Sequence, residues 1–201
     1  CTAGFSAYYR QFFDMHRYTA PEEVIRMLSA ELIRATVKLR RESDVQIVGF
    51  DLAGSENGHP AERHSNAYDY AHKSFLMKTV HAGEAYGPES IFQAITVLHA
   101  DRIGHGLFLF AADKIVSNDV KDPERYVRDL SNYIAEKRIT LEVCLTSNLQ
   151  TVPEIGSIMR HPFGRMLENR LSVSLCTDNR LVSHTDINKE YLLAVNNFPI
   201  A

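Results

Sequence analysis

KTVHAGEAYGPESIFQAITVLHADRIGHGLF, running from Lys78 to Phe108, is the stretch whose reading decides the fold. KTVHAGE is a short β-rich run. Pro88 and Glu89 then open a helix whose Ile91, Ala94, Ile95 and Leu98 fall on one stripe, and RIGHGLF is a second short apolar run. Strand, helix and strand in so short a span predict two parallel strands joined by a crossover helix.

The same rhythm extends in both directions. VQIVGFDLAG, from Val45, precedes it; ITLEVCL, from Ile139, and LSVSLCTD, from Leu171, follow, giving five predicted strands. Their near-continuous apolar content is expected of strands buried on both faces. Thr19 and Glu22 form a capping-box pattern ahead of a helix with Val24, Leu28 and Leu32 at spacing four, ending in Lys38, Arg40 and Arg41. Asp122 and Pro123 open another with Val127, Leu130 and Ile134 inside. Thr185 is the expected cap of a last helix with Ile187, Tyr191 and Val195 inside. The opening residues, CTAGFSAYYRQFFDMHRY, read as the end of a preceding strand. No Pro/Gly/Ser-rich linker, low-complexity tract or further repeat interrupts the rhythm, so residues 1–201 form one domain or part of one.

Composition narrows the function classes. At 201 residues, 45% hydrophobic and 23% charged, the chain has ordinary globular make-up and material for a sizeable core. A net charge of -3 offers no basic excess for a nucleic-acid backbone. No run approaches the roughly 18 apolar residues of a membrane span, and no signal segment opens the chain, which points to a soluble, cytoplasmic protein with no membrane partner. Cys1, Cys144 and Cys176 are too few and scattered for a disulfide framework; Cys144 and Cys176 sit in apolar runs and are expected to be reduced core residues.

The rhythm alone allows a doubly wound open sheet or a β/α barrel. Polar residues at the ends of the runs choose between them: Gly54 after DLA, His81 and Glu84 in TVHAGE, His105 in RIGHG, Asp178 and Asn179 in SLCTDN. In an open sheet those ends would be spread along an edge. In a barrel all C-terminal strand ends face one mouth, where His81, Glu84, His105 and Asp178 can meet around one ion. A closed eight-stranded barrel takes about 250 residues. The predicted fold class is therefore α/β, a partial TIM (β/α)8 barrel comprising about strands 4 to 8, with roughly the first three strands absent.

Each polar residue also has a plainer account. His81, ahead of Ala82 and Gly83, could be a hydrogen-bonded loop histidine, and Glu84 a helix N-terminal acid favoured by the dipole. His105, between Gly104 and Gly106, could be structural. Asp178 ends a very apolar run, where an unpartnered carboxylate is costly; a cation or a capping role would answer that cost. Gly54 could simply end a strand. Ser147 and Asn148 lie just past a strand end, placed to support the site. His16, His59, His64, His72, His99, His161 and His184 take surface or core roles by default.

DLAGSE, TVHAGEAYGPESI, DRIGHG, LEVCLTSN and SLCTDN, in that order over about residues 44–195, resemble the C-terminal two-thirds of the adenosine deaminase family of metal-dependent hydrolases. The resemblance implies a zinc β/α barrel that converts adenosine or deoxyadenosine and water to inosine or its deoxy form and ammonia. It makes His81 and Asp178 ligands of a single zinc ion and Glu84 the acid that protonates the purine ring nitrogen beside the reacting carbon. It makes His105 the residue that orients the activated water and helps take its proton, and it sets Gly54 and Asn179 against the purine. Asn179 departs from the commonest pattern, which has a second Asp; a neutral amide still donates to a purine nitrogen that only accepts. The cytidine-type zinc deaminase signature, with its Pro-Cys-x-x-Cys, is absent.

The family supplies its remaining zinc ligands as a His-x-His pair on the first barrel strand, and no His-x-His occurs in these 201 residues. The chain is therefore expected to be a single incomplete hydrolase domain, inactive and poorly stable by itself, whose intact parent acts on a small purine nucleoside and water. The competing readings are a deaminase of a related 6-aminopurine, such as adenine, AMP or a modified adenosine, and a deaminase-like binding module without catalysis.

Overall fold

A computed structural model describes residues 10–200. Among the described residues five strands, β1 (Gly49–Leu52), β2 (Met77–Ala82), β3 (Arg102–His105), β4 (Thr140–Val143) and β5 (Val173–Leu175), form one sheet in the order β1-β2-β3-β4-β5. Every pairing is parallel. A doubly wound sheet reverses its order at a switch point; this one advances by one neighbour at each crossover, as barrel strands do. The five predicted strands and the α/β class thus match the architecture, with boundaries shortened. ITLEVCL ends as strand at Val143, and Leu145 already begins a helix.

After a helical stretch at residues 10–15 come α1 (Pro21–Glu42), α2 (Ser65–Lys73), α3 (Pro88–Thr96), α4 (Pro123–Lys137), α5 (Leu145–Thr151), α6 (Phe163–Glu168), α7 (Arg180–Ser183) and α8 (Ile187–Asn197). The core lies between sheet and helices: Val80, Ala82, Ile103, Leu141 and Val143 meet Ile91, Ala94, Ile95 and Leu98 of α3 and Leu130 and Ile134 of α4. Tyr68 of α2 is wholly buried and donates its hydroxyl to the Thr79 carbonyl at 2.8 Å, tying that helix to β2.

The strands are not apolar on both faces. The register sets Asp51, Thr79 and Arg102 in one row and His81, Gly104, Glu142 and Ser174 in the next, on the face turned away from that core. Arg102 spans two strands there, pairing with Glu142 and donating to Ser174 Oγ at 3.0 Å. Burial, then the Glu142 charge, raises the pKa of Asp51.

Three helix readings need correction. α1 begins at Pro21 after Ala20, with no side-chain cap, so Thr19 and Glu22 form no capping box; Pro21, fitted to the first turn, starts the helix instead. Asp186, not Thr185, caps α8 by accepting from Lys189 N. Ile187, Tyr191 and Val195 are exposed, and α8 docks through Glu190 and Ala194. Thr185 gives its hydroxyl to Glu190 at 2.7 Å, so the buried stripe is offset from the apolar one. Residues 10–15 are helical, not the end of a strand, and the earlier part of that segment, with Cys1, falls outside the described residues. Cys144 is buried and Cys176 partly so, both unbridged. Among the described residues no helix is long and apolar enough to cross a membrane.

Candidate active site

β2 delivers His81 to the C-terminal rim of the sheet, and the chain then turns through Gly83 at φ +74°. A Cβ there would lie 2.6 Å from Ile91 Cδ1, so only glycine lets this turn pack on α3. The turn brings Glu84 back: its Oε2 meets His81 Nε2 at 2.8 Å, and Thr151 Oγ1 of α5 donates to its Oε1 at 3.0 Å.

His105 ends β3 with φ +67°, between Gly104 and Gly106, and is 3% exposed. Its ring sits edge-on to that of His81 with centroids 4.2 Å apart, and its Nδ1 is 3.9 Å from Glu84 Oε1. One potential ligand atom from each of His81, Glu84 and His105 lies within 4.8 Å of the others. Asp178 follows β5 at φ +54°, and its Oδ2 accepts from Ser147 Oγ at 2.7 Å.

His81, Glu84, Asp178, Asn179 and Gly54 line one open cleft of ≈ 1210 Å³, with His105 buried behind it. Gly54 has φ +118°, a conformation for glycine, and nothing crowds its Cα on the side-chain side. Asn179 caps α7, accepting from Val182 N at 3.3 Å. That use of Oδ1 leaves the side chain with an amide donor to offer. Asp178 shares the cleft but is not part of the tight His81, Glu84 and His105 group.

The electrostatics follow from this crowding. Burial opposes charge on His81, but the Glu84 hydrogen bond and the charges of Glu84, Glu56 and Asp178 outweigh it and raise its pKa. Burial pushes Glu84 up; bonds from His81 and Thr151 and the charges of both histidines overcome it and bring it down to about 2. Burial, then the His81 charge, lowers His105.

Three further residues hold the candidate site's side chains or backbone in place. Glu56, 6% exposed, accepts backbone N–H groups from Gly83, Glu84, Ala85 and Tyr86 at 2.9, 2.9, 2.6 and 3.2 Å. It ends the quoted DLAGSE segment, where a carboxylate after a glycine turn was the available signal. Thr151, which anchors Glu84, carried none. His161 takes a core position, as expected, and from there its Nε2 faces Asn148 Oδ1 at 3.3 Å while Asn148 Nδ2 reaches His105 Nδ1 at 2.8 Å. Ser147 holds Asp178 and Asn148 holds His105 through hydrogen bonds of 2.7 and 2.8 Å.

Residues 15–200 match the family model for adenosine deaminase. An adenosine deaminase of Mycobacterium leprae is 41% identical over 165 residues, 81% of this chain and 43% of that protein. The N6-mAMP deaminase MAPDA of Arabidopsis superposes with a TM-score of 0.67 at 29% identity, over 86% of this chain and 45% of that one. An amidohydrolase from Burkholderia ambifaria with bound Zn shares the fold, with a TM-score of 0.67 at 21% identity over 86% of this chain and 44% of its own. The chain thus spans under half the length of the relatives it matches. With the family model covering nearly all of it, the chain belongs to the adenosine deaminase family.

Proposed function

We propose that this chain is the C-terminal part of a zinc-dependent hydrolase that deaminates adenosine, or deoxyadenosine, to the corresponding inosine and ammonia. The observation that carries the reading is the convergence of His81, Glu84, Asp178, Asn179 and Gly54 on one cleft, with His105 against it. A structural origin for any one of them is easy; five strand-end residues meeting at one mouth call for a common ligand. The adenosine deaminase of M. leprae supports adenosine as that ligand.

The donors fit a zinc ion. Imidazole nitrogen and carboxylate oxygen are its usual ligands, and His81 and Asp178 supply one of each at the rim. Asp178 is already oriented through Oδ2 by Ser147, which leaves Oδ1 to face a cation. The chemistry zinc supplies when bound is activation of water for attack at neutral pH. The further ligands would come from the family's His-x-His, in the portion of the relatives that this chain does not span.

The chain's own residues then divide the remaining work. Glu84 carries a proton to the purine ring nitrogen beside the amino-bearing carbon, so that the ring accepts electrons as water attacks. Its low pKa depends on the His81 bond. A cation taken by His81 Nε2 would release Glu84 Oε2 from that bond and leave the carboxyl held by Thr151 at Oε1. His105 positions the attacking water, and Asn179 donates to an accepting purine nitrogen.

A related 6-aminopurine is the second reading, favoured by Asn179 in place of the commoner Asp and by the N6-mAMP deaminase among the structural relatives. Ammonia release by the full-length protein on adenosine, deoxyadenosine, adenine and AMP, and methylamine release on N6-methyl-AMP, separate the two. The greatest kcat/KM on adenosine or deoxyadenosine is expected. A preference for a nucleotide or free base moves the substrate assignment, and no activity on any of them removes the deaminase reading.

A further inference from the structure

A hydrogen-bonded chain runs from the main chain to His105, and its direction is fixed at the far end. Phe163 N donates to His161 Nδ1 at 3.1 Å. A backbone N–H can only donate, so His161 Nδ1 must be the accepting nitrogen and any ring proton sits on Nε2. His161 is 3% exposed, and burial, then the His105 charge, holds its pKa down to about 4, so the ring is neutral with a single N–H. That N–H faces Asn148 at 3.3 Å. Asn148, 0% exposed, is thereby made to present Oδ1 to His161 and its NH2 to His105 Nδ1 at 2.8 Å. An amide NH2 has no acceptor to offer, so His105 Nδ1 must accept.

We propose that Asn148 and His161 are positioning residues that lock His105 in the tautomer with its proton on Nε2. The inference rests on the reading of His105 as part of the reaction site and sharpens it. A neutral His105 locked in this way offers its neighbours an N–H from Nε2, and its lone pair is spent on Asn148. The N–H at Nε2 is then the group His105 can offer an attacking oxygen, and with Nδ1 taken by Asn148 the ring is not free to remove the first proton. The relay enters from α5 and from the turn before α6, so residues with no place in the cleft determine which face of the imidazole can act.

The test is a long-range 1H–15N correlation on the full-length protein labelled with 15N-histidine, at neutral pH. In the wild type, His105 is expected to show a protonated Nε2 and an unprotonated Nδ1. Asn148→Asp sets an acceptor-only carboxylate against Nδ1 and should move a proton onto that nitrogen, lowering kcat about 10- to 100-fold while KM stays nearly constant. His161→Phe removes the group that fixes the amide and should give mixed tautomers, whereas His161→Gln restores an N–H donor and the wild-type pattern. A protonated Nδ1 in the wild type overturns the proposal without a variant having to fold. So does an unchanged His105 pattern in both Asn148→Asp and His161→Phe. If the tautomer moves as expected while turnover does not, the lock has no part in the reaction and its positioning role fails, although deamination stands. If the wild type deaminates no 6-aminopurine, the activity reading fails, and the positioning role with it.

Discussion

Replacing Glu56 should loosen the turn that carries His81 and Glu84. Its two oxygens accept four backbone N–H groups in a row, with Oε2 taking those of Glu84, Ala85 and Tyr86 and Oε1 that of Gly83. Glu56→Gln keeps a carbonyl for the three but turns an NH2 toward Gly83 and removes the negative charge from all four bonds. A hydrogen bond to a charged group contributes about 1.5–3 kcal/mol and an unmet buried donor costs about 1–3 kcal/mol. Ser90 Oγ, 3.0 Å from Gly83 N, offers that donor partial relief. Glu56→Gln should therefore cost about 2–4 kcal/mol and Glu56→Ala about 3–5 kcal/mol. Urea unfolding of the full-length protein measures the loss, and turnover at saturating adenosine should fall alongside it because the displaced turn carries Glu84. Stability of Glu56→Ala within about 0.5 kcal/mol of wild type, with turnover intact, would refute this account of the turn.

The remaining expectations concern other parts of the molecule. His161 has a folded pKa of about 4, below the usual 6.5 of an unfolded histidine, so between those values the unfolded chain binds more protons. Its contribution is fully present above pH 6.5 and is lost as pH falls toward 4, about 3 kcal/mol in all; unfolding free energies from pH 7 to 4 should decline less steeply in His161→Gln. Glu190, 0% exposed, accepts from Thr185 Oγ1 and from Thr146 N at 2.7 and 3.2 Å. Glu190→Ala should detach α8 from α5 at a cost of about 2–4 kcal/mol, seen as a fall in Tm. Asp178→Ala removes a proposed ligand, and zinc retained after dialysis against a chelator, measured by mass spectrometry, should drop about 10-fold or more; equal retention would take Asp178 out of the zinc site.

Much of this architecture was legible because strand and helix patterns are local. Pro88, Asp122 and Pro123 mark helix starts through the chemistry of the first turn alone, and both helices begin there. The parallel barrel order follows from the alternation of strand and helix patterns and from the placing of polar residues at strand ends. α8 shows where locality fails: its apolar residues suggested Ile187, Tyr191 and Val195 as the inner stripe, but the helix is oriented by a buried Glu190 that takes hydrogen bonds from α5 and Thr185. A single charged residue satisfied by distant donors overrides the apolar stripe, and nothing near it in the sequence announces those donors. Asp51, Arg102 and Glu142 make a related point, since their strands read as apolar runs but alternate once paired.

The candidate site divides in the same way. His81, Glu84, His105, Asp178, Asn179 and Gly54 stand out because each interrupts an apolar run at its end; five of them line one cleft, and the His105 ring lies against that of His81. Glu56 and His161 do not, because they act on the site through partners 27 and 13 residues away. Their importance lies in hydrogen bonds to a backbone turn and to a buried amide, which only the folded chain brings within reach.

Glu84→Gln tests the central claim most directly, because the amide keeps the shape of the carboxyl group but cannot deliver its proton. Loss of adenosine absorbance should be followed with the full-length, zinc-loaded protein, wild type against variant, with zinc content measured in both. The account predicts deamination by the wild type and a fall in kcat of about 10²–10⁴-fold in Glu84→Gln at unchanged zinc content. A variant that turns over within about threefold of wild type would contradict it, since a proton donor of the kind proposed contributes far more than that.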